Sequence, residues 1–148
     1  MEVVTIETSQ RFFHQLLMLY RPFENKLNVQ LNKHHIQRAQ WTILYYLHHF
    51  GSATLVELSK YQGVEKPTIT RTINRLEELG YVESVPSKDK REKRMHLTQL
   101  GETVYEAVRV TIDQFEHDIL NGITEEEQLE VIRIMGNIRD NIIERGEK

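Results

Sequence analysis

Apolar residues recur every three to four positions through most of this chain, the spacing that gathers them on one side of an α-helix. Between about Thr8 and Leu31 the stripe is Phe12, Leu16, Tyr20, Phe23, Leu27 and Leu31. Pro22 interrupts it, yet the stripe stays in phase, which favours one long kinked helix; the alternative is a second helix opened by Pro22. Lys33-His34-His35 reads as a polar connection. Arg38 to Phe50 is a second helix, with Trp41, Leu44, Tyr45 and His48 along one side and Gly51 as its C-terminal stop. Thr54-Leu55-Val56-Glu57 has the form of a capping box, so a third helix starts there and runs only to about Tyr61, before Gly63. Leu55 and Leu58 alone cannot hold two isolated turns, so this helix must pack against a neighbour.

A fourth helix is predicted from Lys66 or Pro67 to Leu79, ended by Gly80. At about 100° per residue, Ile69, Ile73 and Leu76 fall within roughly 60° of one another and should face a core. Pro67, Arg71, Asn74 and Glu78 fall on the far side, with Thr70 on one flank and Thr68 and Arg75 on the other. Two helices joined across Gln62-Gly63-Val64-Glu65 have the length and turn glycine of a helix-turn-helix. Tyr81 to Val85 then alternates as a strand does, Lys93 to Leu97 is a second short strand, and the polar loop Ser87 to Glu92 between them completes a wing. Thr98 caps a long helix striped by Val104, Val108, Ile112, Phe115 and Ile119. A second capping box, Thr124 to Glu127, opens a last helix with Leu129, Ile132, Met135, Ile138 and Ile142 on one face. The expected fold is mainly α with a small β-wing. Within a single unit of 148 residues, a winged helix-turn-helix occupies about 36–97, flanked by helical parts at about 5–32 and 98–146.

Composition agrees with one globular domain: 39% of residues are hydrophobic and 28% charged. No run approaches the roughly 18 apolar residues of a membrane span. The N-terminus lacks the basic segment and cleavage motif of a signal peptide, so the expected address is the cytoplasm. Cysteine is absent, which excludes disulfides and thiolate metal sites. The net charge of -3 argues against a nucleic-acid binder until its distribution is followed. From Lys60 to Arg94 nine Lys and Arg face six Asp and Glu; from Thr98 to Lys148 five face twelve. The basic excess sits on the helix-turn-helix and wing, and the acidic C-terminal part is expected to point away from a polyanion.

The candidate DNA-reading residues are those of the fourth helix and the wing: Lys66, Pro67, Thr68, Thr70, Arg71, Asn74, Arg75, Lys88, Lys90, Arg91 and Lys93. Arg71 suits base edges, where arginine pairs with guanine, and Arg75 suits phosphate. Thr68 and Thr70 either donate to phosphate, touch a thymine methyl, or merely satisfy the turn. The bland alternative for the arginines is a solvated face paired to Glu77 and Glu78. Adjacent histidines at 34–35 and 48–49 point to different helix faces, so they read as polar surface or hydrogen-bonded core rather than a metal site. Phe13, Met18, Trp41 and Tyr45 are either core or the lining of an effector pocket. No nucleophile–base pair or glycine-rich phosphate loop is present, and neither an enzyme nor a cofactor is expected.

Amphipathic helices at both ends call for a partner. A second copy of the chain is the expectation, with a monomer folded back on itself as the alternative; a dimer would set two reading helices about 34 Å apart, on successive turns of one duplex. The helix order, the wing, and the strings Leu79-Gly80-Tyr81-Val82-Glu83, Asp89-Lys90-Arg91 and Leu97-Thr98-Gln99-Leu100-Gly101 resemble the MarR/SlyA family of bacterial winged-helix transcription regulators across nearly the whole chain. Gln40-Trp41-x-x-Leu44-x-x-Leu47 resembles it as well. That resemblance implies that Asp89 tethers the wing and that Arg91 enters the minor groove, where a narrow negative groove favours a guanidinium. It also implies a homodimeric repressor of double-stranded DNA sites, relieved by a small-molecule effector. Lys66-Pro67 and Ser84 depart from the family pattern, so a different target sequence is expected. The competing reading is a winged-helix protein-interaction module without a DNA target, which the near-neutral net charge favours.

Overall fold

Unbroken amphipathic runs closed by capping residues give helices α1 (Glu2–Asn32), α2 (Arg38–Phe50), α3 (Leu55–Gln62), α4 (Lys66–Glu78), α5 (Gln99–Ile119) and α6 (Glu125–Gly146), with short strands β1 (Ala53–Thr54), β2 (Val82–Ser84) and β3 (Arg94–Leu97) between them. This computed structural model describes residues 2–86 and 92–146, with side chains from 7 to 86 and from 92 to 145. The chain divides into two compact units, Met1–Phe115 and Glu116–Lys148. Among the described residues, no helix is long and apolar enough to cross a membrane.

In the first unit the core is built where α1, α2, α3, α4, the sheet and α5 meet, around Leu31, Ile43, Leu44, Leu47, Leu58, Ile73, Met95 and Val108, all at most 1% exposed. α2 has the boundaries its pattern predicts, but it also buries Ile43 and Leu47, because α1, α3, α4 and β3 surround it. Its buried polar residue, Gln40, accepts from the Gln37 backbone N–H at 2.8 Å and so satisfies a donor at the helix start. α1 continues through Pro22 as one helix and starts at Glu2 rather than near Thr8, since no glycine or proline lies in that stretch to stop it. The turn between α1 and α2 is fixed by His34, whose Nε2 lies 2.7 Å from Thr111 Oγ1 on α5.

The sheet is antiparallel in the order β1-β3-β2, with Ala53 opposite Met95 and Val82 opposite Leu97. β1 is not foreseen from the sequence, because two residues carry no alternation to read. At the end of α4 the Gly80 N–H bonds Glu77 O at 2.9 Å and the Tyr81 N–H bonds Leu76 O at 3.0 Å, a Schellman closure that needs the +80° φ of Gly80.

Thr98 joins this exit to α5. Its hydroxyl donates to Gly80 O at 2.6 Å and accepts from the Gly101 N–H at 3.0 Å, capping the helix as expected, while its own N–H bonds Tyr81 O at 3.0 Å. Gly101 passes so close to the preceding chain that a Cβ there would sit 2.0 Å from Tyr81 O. Further along α5, Tyr105, Val108 and Ile112 are buried.

The second unit contains the last turn of α5 and all of α6. Thr124 and Glu127 form the expected capping box: the Glu127 N–H bonds Thr124 Oγ1 at 3.1 Å and the Thr124 N–H bonds Glu127 Oε1 at 2.9 Å. Leu129, Ile132, Met135 and Ile142 are exposed along α6.

The Gly101 contact generates the first prediction. Gly101→Ala forces a methyl against a backbone carbonyl that cannot swing aside, and should lower the unfolding free energy by about 2 kcal/mol or more. Urea denaturation checks it; a variant as stable as the parent would mean that the Tyr81 backbone yields freely.

Candidate nucleic-acid interface

α4 is seated by Ile69, Ile73 and Leu76, the three residues its period assigns to the core, all fully buried. The helix in front of it is held equally firmly. Thr54 Oγ1 accepts from the Glu57 N–H at 3.1 Å, and Gln62 Nε2 reaches back from the end of α3 to Ala39 O on α2 at 3.0 Å. α3 ends at Gly63, and α4 begins after Glu65 with Pro67 in its first turn, where the absent N–H has no helical partner to lose.

The residues read as DNA-facing come together on the outside of this helix. Lys66, Pro67, Arg71, Asn74 and Arg75 are exposed, while Thr68 and Thr70 are half-buried at the flanks. Arg75 Nη1 lies 3.1 Å from Glu78 Oε2, with both side chains mostly in solvent. Exposed pairs of this kind are worth about 0–1 kcal/mol, so a phosphate can displace the carboxylate at small cost. Arg71 forms no ion pair among the described residues; its Nη2 approaches Thr68 Oγ1 at 3.5 Å. Thr70 turns its hydroxyl into its own helix and donates to Lys66 O at 3.0 Å.

Lys93 stands at the base of the wing, 3.1 Å from Glu77 Oε1 on α4. Lys88, Asp89, Lys90 and Arg91 lie outside the described residues. Arg94, which the sequence places with the basic residues of the wing, is instead turned inward. Its Nε lies 3.2 Å from Ser52 Oγ, its Nη2 3.4 Å from Ser52 O, and its Nη1 3.1 Å from Glu57 Oε1. β3 is thereby tied to the start of α3. That Lys93 to Leu97 holds a short strand was legible in the sequence; the reach of Arg94 to a capping glutamate 37 residues away was not.

The four residues considered for an effector pocket are placed differently from one another. Trp41 is buried and stacks on Tyr105 of α5 at 5.1 Å between ring centroids, with the Arg109 guanidinium 5.5 Å from the Trp41 ring centroid. Tyr45 is half-buried beside the His49 ring. Phe13, whose ring meets Phe12, and Met18 are exposed on α1. Tyr105 also carries His48, stacked 4.0 Å away, and His48 Nδ1 lies 2.8 Å from Glu102 Oε2.

The sequence pattern of the MarR family matches residues 34–92. Over 120 residues the chain is 38% identical to the uncharacterized HTH-type transcriptional regulator YwoH of Bacillus subtilis (strain 168), covering 81% of this chain and 88% of that one. The chain belongs to the MarR family. Its fold is that of the family's solved members. Staphylococcus aureus MarR in complex with salicylate and kanamycin superposes with a TM-score of 0.83 at 30% identity, covering 93% of this chain and 94% of that one. A mutant E. coli MarR complexed with operator DNA superposes with a TM-score of 0.73 at 26% identity, covering 90% and 95%. Membership makes this chain a DNA-binding transcription regulator, with α3 and α4 as its helix-turn-helix.

Glu57 is the residue on which the α3 cap and the Arg94 tie converge. Its slight burial raises the carboxyl's pKa, but the Thr54 N–H and hydroxyl and the Arg94 charge outweigh that and hold it below 4.5. A lowered folded-state pKa contributes stability that is present above about pH 4.5 and lost as pH falls through the folded value. Glu57→Gln should therefore be less stable than the parent at pH 7, by about 1 kcal/mol or less, with the gap closing below pH 4.5. Denaturation at pH 7 and pH 3.5 measures it; a gap that does not depend on pH would contradict this role.

Proposed function

We propose that this MarR-family regulator works as a homodimeric repressor in the cytoplasm, laying the outer face of α4 in successive major grooves of a pseudo-palindromic site. The outer face of α4 carries this reading, because it presents Arg71 without an ion pair among the described residues beside exposed Lys66, Pro67, Asn74 and Arg75. In this reading Arg71 meets a guanine edge, Arg75 and Lys93 meet phosphate, and the wing loop brings Lys88, Lys90 and Arg91 to the adjacent minor groove, with Asp89 holding the loop. The E. coli relative complexed with operator DNA supports such a placement.

Residues at about 36–97 form the DNA-binding part, and the helices on either side form the dimer. Support comes from apolar side chains left in solvent: Phe12, Leu16, Leu17 and Leu19 on α1, and Leu129, Ile132 and Ile142 on α6. On each helix, exposed apolar side chains in such number mark a protein interface. A small-molecule effector is proposed beside Phe13, Met18, Trp41 and Tyr45; the relative in complex with salicylate and kanamycin supports control by a small ligand.

In gel-shift titrations against upstream DNA of the protein's own gene, binding should weaken steeply with salt. Arg71→Ala should cost about 1–3 kcal/mol and relax base preference at one position, whereas Arg75→Ala should weaken all sequences alike and reduce the salt slope by about one. Binding insensitive to salt, or none to any duplex, would overturn the proposal. Light scattering should give twice the chain mass, with Ile132→Glu shifting the protein toward monomer and weakening DNA binding in step; a wild-type monomer would refute the dimer.

A further inference from the structure

The two halves of the α4 outer face offer different chemistry. Thr70 spends its one hydroxyl proton on Lys66 O, 3.0 Å away. None remains for a phosphate or a base acceptor, and what the side chain has left to present is its γ-methyl, together with an oxygen that can only accept. Pro67, one turn earlier and exposed, has no N–H and carries only ring methylenes. At about 100° per residue the two lie roughly 60° apart on one side of the face. Arg71, Arg75 and Thr68 lie toward the other, where Arg71 Nη2 is the donor and Thr68 Oγ1 the acceptor of their contact, which leaves the Thr68 proton free. On the flank away from Arg75 and Thr68, two apolar groups thus stand on either side of exposed Asn74, whose amide is the polar group between them.

In the major groove the thymine 5-methyl is the apolar group on the base edges. We infer that Pro67 and the γ-methyl of Thr70 read thymine methyl groups, and that these two apolar contacts set the sequence preference beside the base pair held by Arg71. The inference rests on the DNA-reading role proposed for α4. Pro67 and Arg71 are separated by about 6 Å along the helix, under two base-pair steps of about 3.4 Å. A thymine read by Pro67 therefore falls within two steps of the guanine read by Arg71.

The test begins with selection of bound duplexes from random DNA by the full-length protein. In the strongest selected site each thymine is then replaced singly by uracil, which removes only the 5-methyl. The expected result is a three- to tenfold loss of affinity at one or two thymines near the Arg71-dependent guanine, the order expected for a methyl group withdrawn from contact. Thr70→Ser, which keeps the hydroxyl and loses the methyl, should bind thymine and uracil alike at one of those positions; Thr70→Val, which keeps a methyl and loses the hydroxyl, should still distinguish them. Uracil tolerated at every position, or Thr70→Val losing the discrimination that Thr70→Ser keeps, overturns the inference while leaving DNA binding by α4 intact. Failure of selection to enrich any sequence overturns the reading beneath it.

Discussion

A helix of 13 residues with the composition of α4 would be marginal in water, so its shape must come from the side it buries. Ile69, Ile73 and Leu76 supply that side, and together they remove enough apolar surface to contribute on the order of 5–9 kcal/mol, an upper estimate. The seal has to be complete on one face for the other to be left empty. α3 exists to form part of that seal, which is why so short a helix is capped at Thr54, latched to α2 by Gln62 and tied to β3 through Glu57 and Arg94. The polar outer face of α4 makes no contribution of comparable size to folding, and is free to be chosen for what it meets outside.

Charge follows the same division. Arg94 is committed to Ser52 and Glu57 and is part of the scaffold despite its position in the basic stretch. Arg75 and Lys93 hold loose, solvent-screened pairs with Glu78 and Glu77 that cost little to exchange. Those acidic neighbours keep the interface only weakly basic, so discrimination has to come more from groove contacts than from bulk attraction.

Much of this was legible because helical periodicity and caps are local signals. The boundaries of α2, the core triad of α4 and both capping boxes could be read directly from spacing. Thr98 at the start of α5 could be read as a cap, but the bond of its hydroxyl to Gly80 O could not. The remaining features depend on pairs distant in sequence: β1 exists only because β3 lies beside it, Arg94 finds Glu57 across 37 residues, and Gly101 is required by the carbonyl of Tyr81. The recurring strings also acquire causes. Gln40 caps α2, Trp41 stacks on Tyr105, and Leu44 and Leu47 fill the core, whereas the wing tip lies beyond the described residues and the placement of Arg91 stays a matter of family resemblance.

The junction at Gly80, Tyr81, Thr98 and Gly101 has a mechanical consequence. Two hydrogen bonds and a contact with no room for a single added carbon lock the first turn of α5 to the exit of α4. Such a joint transmits displacement without absorbing it. A tilt of the first turn of α5 would therefore carry the C-terminal end of α4 with it, so the orientation of α4 is geared to the long helix behind it.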